Sequence, residues 1–431
     1  MWKRSSFRAM VVASPLSAPE KGWTVTRKTA IYHSQSVRGH VTSKYVSYER
    51  SREQRMPELF RAAKAATMTP DAPVIEDAAI IAHQGIIREV GTYRDLAPSF
   101  SGTITDLGDI TLTPGLINAH SHLELAHLRG KCPQGAGFVT WVENLLQQPI
   151  FDLDEDELDK AVDELKRSGT VMVGDIATRF AKQMAGVLEA SGLFFAVFVE
   201  AIGETIPKKT FIPKGEYENG LLSVAGHSLY TTHRDVLRAA KAEATQRSIP
   251  FSIHLAEHDE EVAIMADRES EFLDLLQARG RLLDFVAPQK RPVEQAAELG
   301  LLDETTLAVH CVKVTDEDIQ TVRDSGATVC LCPRSNEYIG VGRAPWEKWL
   351  ASGTPLCLGT DSLASNYDLD LWNEAVYLKK NFDGELSFEQ LLAMVTRNPA
   401  NILGAGQYLG TLEPGKRAVF ATVPDTISQL F

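Results

Sequence analysis

The sequence predicts an α/β protein: a (β/α)8 TIM-like barrel with a small β-sandwich domain built from both chain ends. Three observations carry this. Eight strand-sized apolar runs alternate with helical periodicity between residues 112 and 359. Four of those runs end in a polar side chain suited to metal binding or proton transfer, and parallel barrels build their sites from C-terminal strand ends. Short strands separated by turn residues fill residues 59–107 and return at 410–424, outside the alternating series.

Residues 1–55 come first and differ from the rest, with 11 Lys/Arg against 3 Asp/Glu. A secretory signal fits poorly, because the apolar stretch Ala9–Ala13 is short and Pro15 follows it. The composition suits an organellar transit peptide better. The simplest reading is an upstream start, with Met56 opening the folded protein and 1–55 largely disordered. The β domain is expected over 56–113 plus 405–431, with strands at Leu59–Ala66, Ala78–His83, Gly85–Gly91 and Ile104–Leu107, completed by Gly410–Pro424. Barrel ends that lie close together make such a composite domain feasible.

The barrel is expected over 114–404. Its strands are placed at Leu112–Ala119, Thr170–Asp175, Leu193–Glu200, Leu221–Gly226, Phe251–Leu255, Thr306–Cys311, Thr328–Cys332 and Pro355–Gly359. Helical periodicity marks Glu155–Arg167, Arg234–Gln246, Asp316–Asp324 and Leu371–Phe382. Ser387 and Gln390 have capping-box spacing. Asn398-Pro399 is read as a helix breaker, and Gly404-x-Gly406 as a helix stop.

The whole chain of 431 residues is 44% hydrophobic, with a formal net charge of −13. No large basic surface is implied, which argues against nucleic acid. No apolar run reaches the roughly 18–20 residues of a membrane span. The five cysteines are odd in number and mostly inside apolar runs, which predicts reduced core thiols and a cytoplasmic protein. A small-molecule substrate is the expected partner, and a homodimer is compatible with the sequence.

The most informative stretch is Pro114–Gly130, PGLINAHSHLELAHLRG. Residues two apart in a strand share a face, so His120 and His122 can grip one ion. His254 lies at the end of the fifth strand with Glu257 just after it, His310 ends the sixth and Asp361 follows the eighth. Imidazole serves zinc and iron equally well, so one divalent metal is expected, with zinc ahead of iron. His83, His127, His233 and His258 are read as surface or capping residues. His122-x-Glu124 mimics half of a cytidine-deaminase signature, but the matching Pro-Cys-x-x-Cys is missing.

These motifs, taken in order, resemble the amidohydrolase superfamily. GHSLYT at 226–231, HLAEHDEE at 254–261, HCVKVTDEDI at 310–319, CPRSN at 332–336 and LGTDSLASN at 358–366 are similar to its aminohydrolase branch. That branch holds deaminases of cytosine, guanine and adenosine-like compounds, and chlorohydrolases. HSHLELAHLRG with the following GFVTWVENLLQQ resembles aminodeoxyfutalosine deaminases, which act on an intermediate of menaquinone biosynthesis.

The resemblance implies metal ligation by His120, His122, His254 and Asp361, with Asp361 also taking a proton from water. It implies that Glu257 shuttles a proton to the ring nitrogen, that His310 orients the water, and that His227 and Glu124 meet the substrate. An aminodeoxyfutalosine-like substrate carries a remote carboxylate, for which Arg129, Arg179, Arg334 and Arg343 are candidates, Arg334 first. Two departures are Leu229 where many relatives have proline, and Val419 where an aspartate is common. Glu200 ends the third strand, where some members hold a second metal. A substrate-contact or structural role is favoured, since no lysine ends the fourth strand. The alternatives are chlorohydrolysis, deamination of guanine, cytosine or S-adenosylhomocysteine, and a non-catalytic barrel scaffold.

Overall fold

A computed structural model describes residues 45–47, 56–279 and 286–431. The expectation for 1–55 otherwise lies outside the described residues. Tyr45–Ser47 (β1) pairs antiparallel with Val419–Thr422 (β15). The accessory sheet adds Glu58–Ala66 (β2), Val74–His83 (β3), Ile86–Thr92 (β4), Thr103–Asp106 (β5) and Thr111–Pro114 (β6). These seven strands form one sheet in the order β1-β15-β6-β2-β3-β4, with β5 beside β2. The sheet curls: the Ile87 amide donates to the Lys416 carbonyl at 2.8 Å, bringing the β4 edge to the chain just before β15. Phe60, Ile80, Ile87, Leu112 and Phe420 fill the core it encloses, so both chain ends do build this domain.

The barrel strands are Leu116–Ser121 (β7), Thr170–Ala177 (β8), Phe194–Ala201 (β9), Gly220–Gly226 (β10), Phe251–Leu255 (β11), Thr306–His310 (β12), Thr328–Leu331 (β13) and Leu356–Leu358 (β14). They pair in parallel in sequence order. The seam between β14 and β7 closes through a Ser121–Asp361 bridge, with the Asp361 amide donating to the His120 carbonyl at 3.0 Å. Every residue of β7 and β8 is buried. This is why these strands read as continuous apolar runs and do not alternate: side chains on both faces are covered.

The predicted strand Leu112–Ala119 is two strands in two domains. Pro114 has no amide to continue a ladder. Gly115 then passes so close to the next strand that a Cβ there would sit 2.3 Å from Val171 Cγ1. The chain turns at this pair from the accessory sheet into the barrel.

The helix Glu155–Arg167 shows how sequence sets an outer-ring element. Asp154 caps it by accepting from the Glu157 amide, and Glu155, Asp156 and Glu157 fill its positive first turn. Leu158, Ala161, Val162 and Leu165 form its buried stripe. Arg234–Arg247, Asp316–Ser325 and Leu371–Lys380 likewise fall where periodicity placed them. The capping box of Ser387 and Gln390 opens Phe388–Val395. Asn398-Pro399 does not break a helix. The break falls at Thr396 (φ −135°, ψ −84°), and Pro399 lies in the first turn of Arg397–Ile402. A first-turn amide has no intrahelical partner, so proline costs nothing there. All five cysteines are buried and free. Among the described residues, no helix is long and apolar enough to cross a membrane.

Candidate active site

The side chains at the C-terminal ends of the barrel strands converge on one point. His120 Nε2 and His122 Nε2 are 3.2 Å apart, and both lie near Asp361 Oδ1, at 3.7 and 3.5 Å. The ligand atoms of His120, His122 and His254 all fall within 4.8 Å of one another. Donors about 2.1 Å from a tetrahedral ion stand roughly 3.4 Å apart, so the set fits one divalent metal. Burial holds all three imidazoles below their ordinary pKa, His254 at about 4, so they are neutral and ready to ligate near pH 7. Burial works to raise the Asp361 carboxyl, but the hydrogen bond with His120 and nearby His122 and His310 hold it well below the carboxylate range.

Local structure fixes each donor. His254 Nδ1 is 2.9 Å from the His227 carbonyl, which leaves Nε2 for the metal. Asp175 Oδ1 accepts from Ser121 Oγ at 2.9 Å and from the Leu123 amide at 2.8 Å, clamping the loop that carries both histidines. Burial pushes Asp175 up to about 8, so its carboxyl is largely protonated at pH 7. Asp361 itself sits at φ +59°, as do His310 at +72° and Cys311 at +48°. Non-glycine residues persist in this left-handed region only where surrounding bonds hold them. The Cys311 amide, donating to the Leu255 carbonyl at 3.0 Å, is one such bond.

The acid–base groups face this cluster. Glu257 is 8% exposed, and burial, with Asp361 and Glu261 adding, raises its carboxyl well above the ordinary value. His310 Nε2 stands 3.7 Å from Glu257 Oε1. His310 Nδ1 is 3.0 Å from Asn336 Oδ1, an acceptor, so Nδ1 carries the hydrogen and Nε2 the lone pair. Ser335 Oγ donates to Asp361 Oδ2 at 2.6 Å, as does Ser365 Oγ at 3.1 Å, which leaves Oδ1 toward the histidines. Ser335, Asn336 and Ser365 escaped the sequence reading. The available signals were CPRSN itself, which holds Ser335 and Asn336 beside Arg334, and LGTDSLASN, which holds Ser365.

Arg334 is paired within the protein and is absent from the cavity lining. Its Nη1 and Nη2 donate to Asp368 Oδ1 and Oδ2 at 2.7 and 2.9 Å, and Nη1 lies 3.6 Å from the buried Glu374. A bidentate pair of this kind uses the fork that a ligand carboxylate would need. Arg129 pairs with Glu164 and Arg343 with Glu347. Of the four candidates only Arg179 borders the cavity, stacked 3.7 Å over the Phe151 ring.

The cavity encloses about 1880 Å³ above the cluster. His122, His227, His254, Glu257, His310 and Asp361 face it, with Phe138, Trp141, Leu229 and Tyr230 among its apolar lining. His227 Nδ1 is held by Thr231 Oγ1 at 2.6 Å, and burial brings the ring down to about 4. Glu124 also borders the cavity, but its oxygens accept from the amides of Thr178, Arg179 and Phe180, which makes it a loop anchor. His233 and His258 cap helices through Nδ1 as expected. His258 is buried, however, with Phe138 stacked 3.4 Å from its ring centroid. The helix Phe138–Leu145 thereby packs beside the cavity, with Trp141 Nε1 donating to the Ala364 carbonyl at 3.0 Å.

With this geometry established, comparison with known proteins agrees. The profile of the amidohydrolase family matches residues 111–430, and the chain belongs to that family, a family of hydrolases. A 5-methylthioadenosine/S-adenosylhomocysteine deaminase of Syntrophobacter fumaroxidans is 29% identical over 384 residues, 82% of this chain and 81% of the relative. The fold matches Helicobacter pylori aminofutalosine deaminase in complex with methylthio-coformycin, with a TM-score of 0.77, 22% identity and coverage of 86% and 95% of the two chains. It also matches an adenosine deaminase from Xanthomonas campestris with bound zinc, with a TM-score of 0.71, 24% identity and coverage of 88% and 89%.

Proposed function

We propose that this chain is a metal-dependent hydrolytic deaminase of the ring amine of a 5′-substituted adenosine. The observation that carries the reading is a buried Glu257, its carboxyl raised well above the ordinary value, 3.7 Å from His310 and beside the cluster of His120, His122 and His254, with Asp361 next to the first two. Such an arrangement supplies an acid and a base of separated pKa on one small volume, which an amine-displacing hydrolysis requires.

A divalent ion held by that set, zinc or iron, would supply Lewis acidity and would bring the pKa of a water toward ~7. Asp361 Oδ1 takes the proton from the attacking water, its Oδ2 being held by Ser335 and Ser365. His310 presents its Nε2 lone pair to the same water. Glu257 gives its proton to the ring nitrogen beside the attacked carbon. The carbon–oxygen bond forms, the carbon–nitrogen bond breaks, the amine leaves as ammonia with the proton held by Asp361, and the remaining hydroxyl proton returns to Glu257 as the carbonyl forms.

The cavity volume favours a substrate larger than a free base. Three 5′-substituted adenosines are in view. The motif resemblance favours aminodeoxyfutalosine, and the relative from Syntrophobacter favours 5′-methylthioadenosine or S-adenosylhomocysteine. Ammonia release by the metal-loaded enzyme from these three, with adenosine, guanine and cytosine as controls, tests the reading. Turnover of guanine or cytosine above every adenosine would overturn it. A chain that purifies without metal and releases no ammonia would be the scaffold instead.

A further inference from the structure

One acidic group on the cavity wall takes no part in this chemistry. Glu200, next to last in β9, is 8% exposed and borders the cavity. Its Oε2 accepts from Thr178 Oγ1 at 2.6 Å. Its Oε1 is buried and has no partner among the described residues. Buried polar atoms are seldom left so, and one on a side chain that borders a ligand cavity marks where a ligand group is expected.

The neighbours narrow what that group is. Ligand atoms of Glu200, His227 and His254 lie within 4.8 Å of one another, a spacing that also suits a cation. His254 has no nitrogen to spare, since Nδ1 meets the His227 carbonyl at 2.9 Å and Nε2 belongs to the donor set of His120 and His122. Two remaining donors fall short of the three or four that hold a transition metal. An ammonium group would be repelled by the dication expected beside His254. A neutral hydroxyl meets neither objection: it donates one hydrogen and brings no charge.

We propose that Glu200 Oε1 accepts a hydrogen bond from a ribose hydroxyl of the substrate and so selects ribosides over their deoxy counterparts. This rests on the reading of the chain as an adenosine-derivative deaminase.

The experiment measures kcat/KM of the metal-loaded enzyme for 5′-methylthioadenosine and its 2′-deoxy and 3′-deoxy analogues, in wild type, Glu200→Gln and Glu200→Met. A hydrogen bond to a carboxylate should make the wild type roughly 10- to 100-fold poorer on at least one deoxy analogue. In the variants that discrimination should collapse, with metal content unchanged at one ion per chain. Wild-type indifference to both hydroxyls overturns the proposal without any variant needing to fold. Discrimination retained in the variants also overturns it. Loss of a second bound ion on substitution reassigns Glu200 to a cation. If the wild type deaminates no adenosine, the deaminase reading falls and this inference with it. If it deaminates without regard to the hydroxyls, only this inference falls.

Discussion

At the scale of single residues, the proton on Glu257 is the test of the chemistry. Burial raises this carboxyl well above its ordinary value, and in the proposed mechanism it is the acid that must be loaded for turnover. Activity is therefore full below that raised pKa and falls as pH rises through it. The low-pH side is set by groups held down: His254 and His310 at about 4, and Asp361 well below its usual range. These stay unprotonated through mild acid, so the acid limb should lie well below pH 6.5. Glu257→Gln keeps shape but carries no proton to give. Metal content should be unchanged and kcat lowered by ~10²-fold or more, with the alkaline limb assigned to Glu257 absent. A metal-loaded variant with near-normal kcat would show that another group delivers the proton.

At the scale of elements, the helix Pro333–Ile339 organises much of the site from its first turn. Ser335 holds Asp361, Asn336 holds His310, and Arg334 ties the helix to Asp368 and to Glu374 of the helix Leu371–Lys380. The arginine is thus structural. Arg334→Met would leave Asp368 and the buried Glu374 without their cation, although Asn366 Nδ2 and the backbone amide at position 334 still hydrogen-bond Glu374. Breaking such a pair costs about 3–5 kcal/mol. Chemical denaturation should show that loss, and any fall in kcat/KM should be similar for carboxylated and plain adenosines. A selective loss on the carboxylated substrate would restore Arg334 to the binding site. The segment Leu358–Asp361 is as tightly fixed. A Cβ on Gly359 would lie 2.7 Å from His120 Cβ and 2.9 Å from its carbonyl oxygen. Gly359→Ala should therefore displace His120 and Asp361 together, and metal analysis should find occupancy sharply reduced while far-UV circular dichroism stays barrel-like.

At the scale of the whole molecule, what was legible followed local physics. Parallel strands buried on both faces leave apolar runs, and their polar ends mark one face, so the barrel, its order and the meeting of His120, His122 and His254, with Asp361 beside the first two, were readable from the sequence. Features set by distant contacts were not. The helix Phe138–Leu145 owes its place to Trp141 meeting Ala364 and to Gly135 donating to the Tyr338 carbonyl, both roughly two hundred residues away along the chain. Arg334 likewise looked available because nothing in CPRSN reveals Asp368.

The same global view leads to a prediction about the seam. Among the described residues, the backbones on the two sides of the β14–β7 seam meet through the Ser121–Asp361 bridge and the Asp361 amide on the His120 carbonyl, with the Asn118 side chain also bonded to Thr360. The proposed ligands His120, His122 and Asp361 lie on the two sides of that seam, and His254 reaches it from β11. A bound ion would thus fasten the place where the barrel has fewest backbone bonds. Binding to the folded state alone at ~1,000 times Kd adds about 4 kcal/mol. Chelator-treated protein should accordingly melt several degrees lower than protein reloaded with one zinc ion per chain. Hydrogen exchange should show where the stability enters, with protection rising first at residues 118–122 and 359–362. Uniform protection across the barrel, or metal loading without a thermal shift, would mean that the ion serves the reaction and not the closure of the fold.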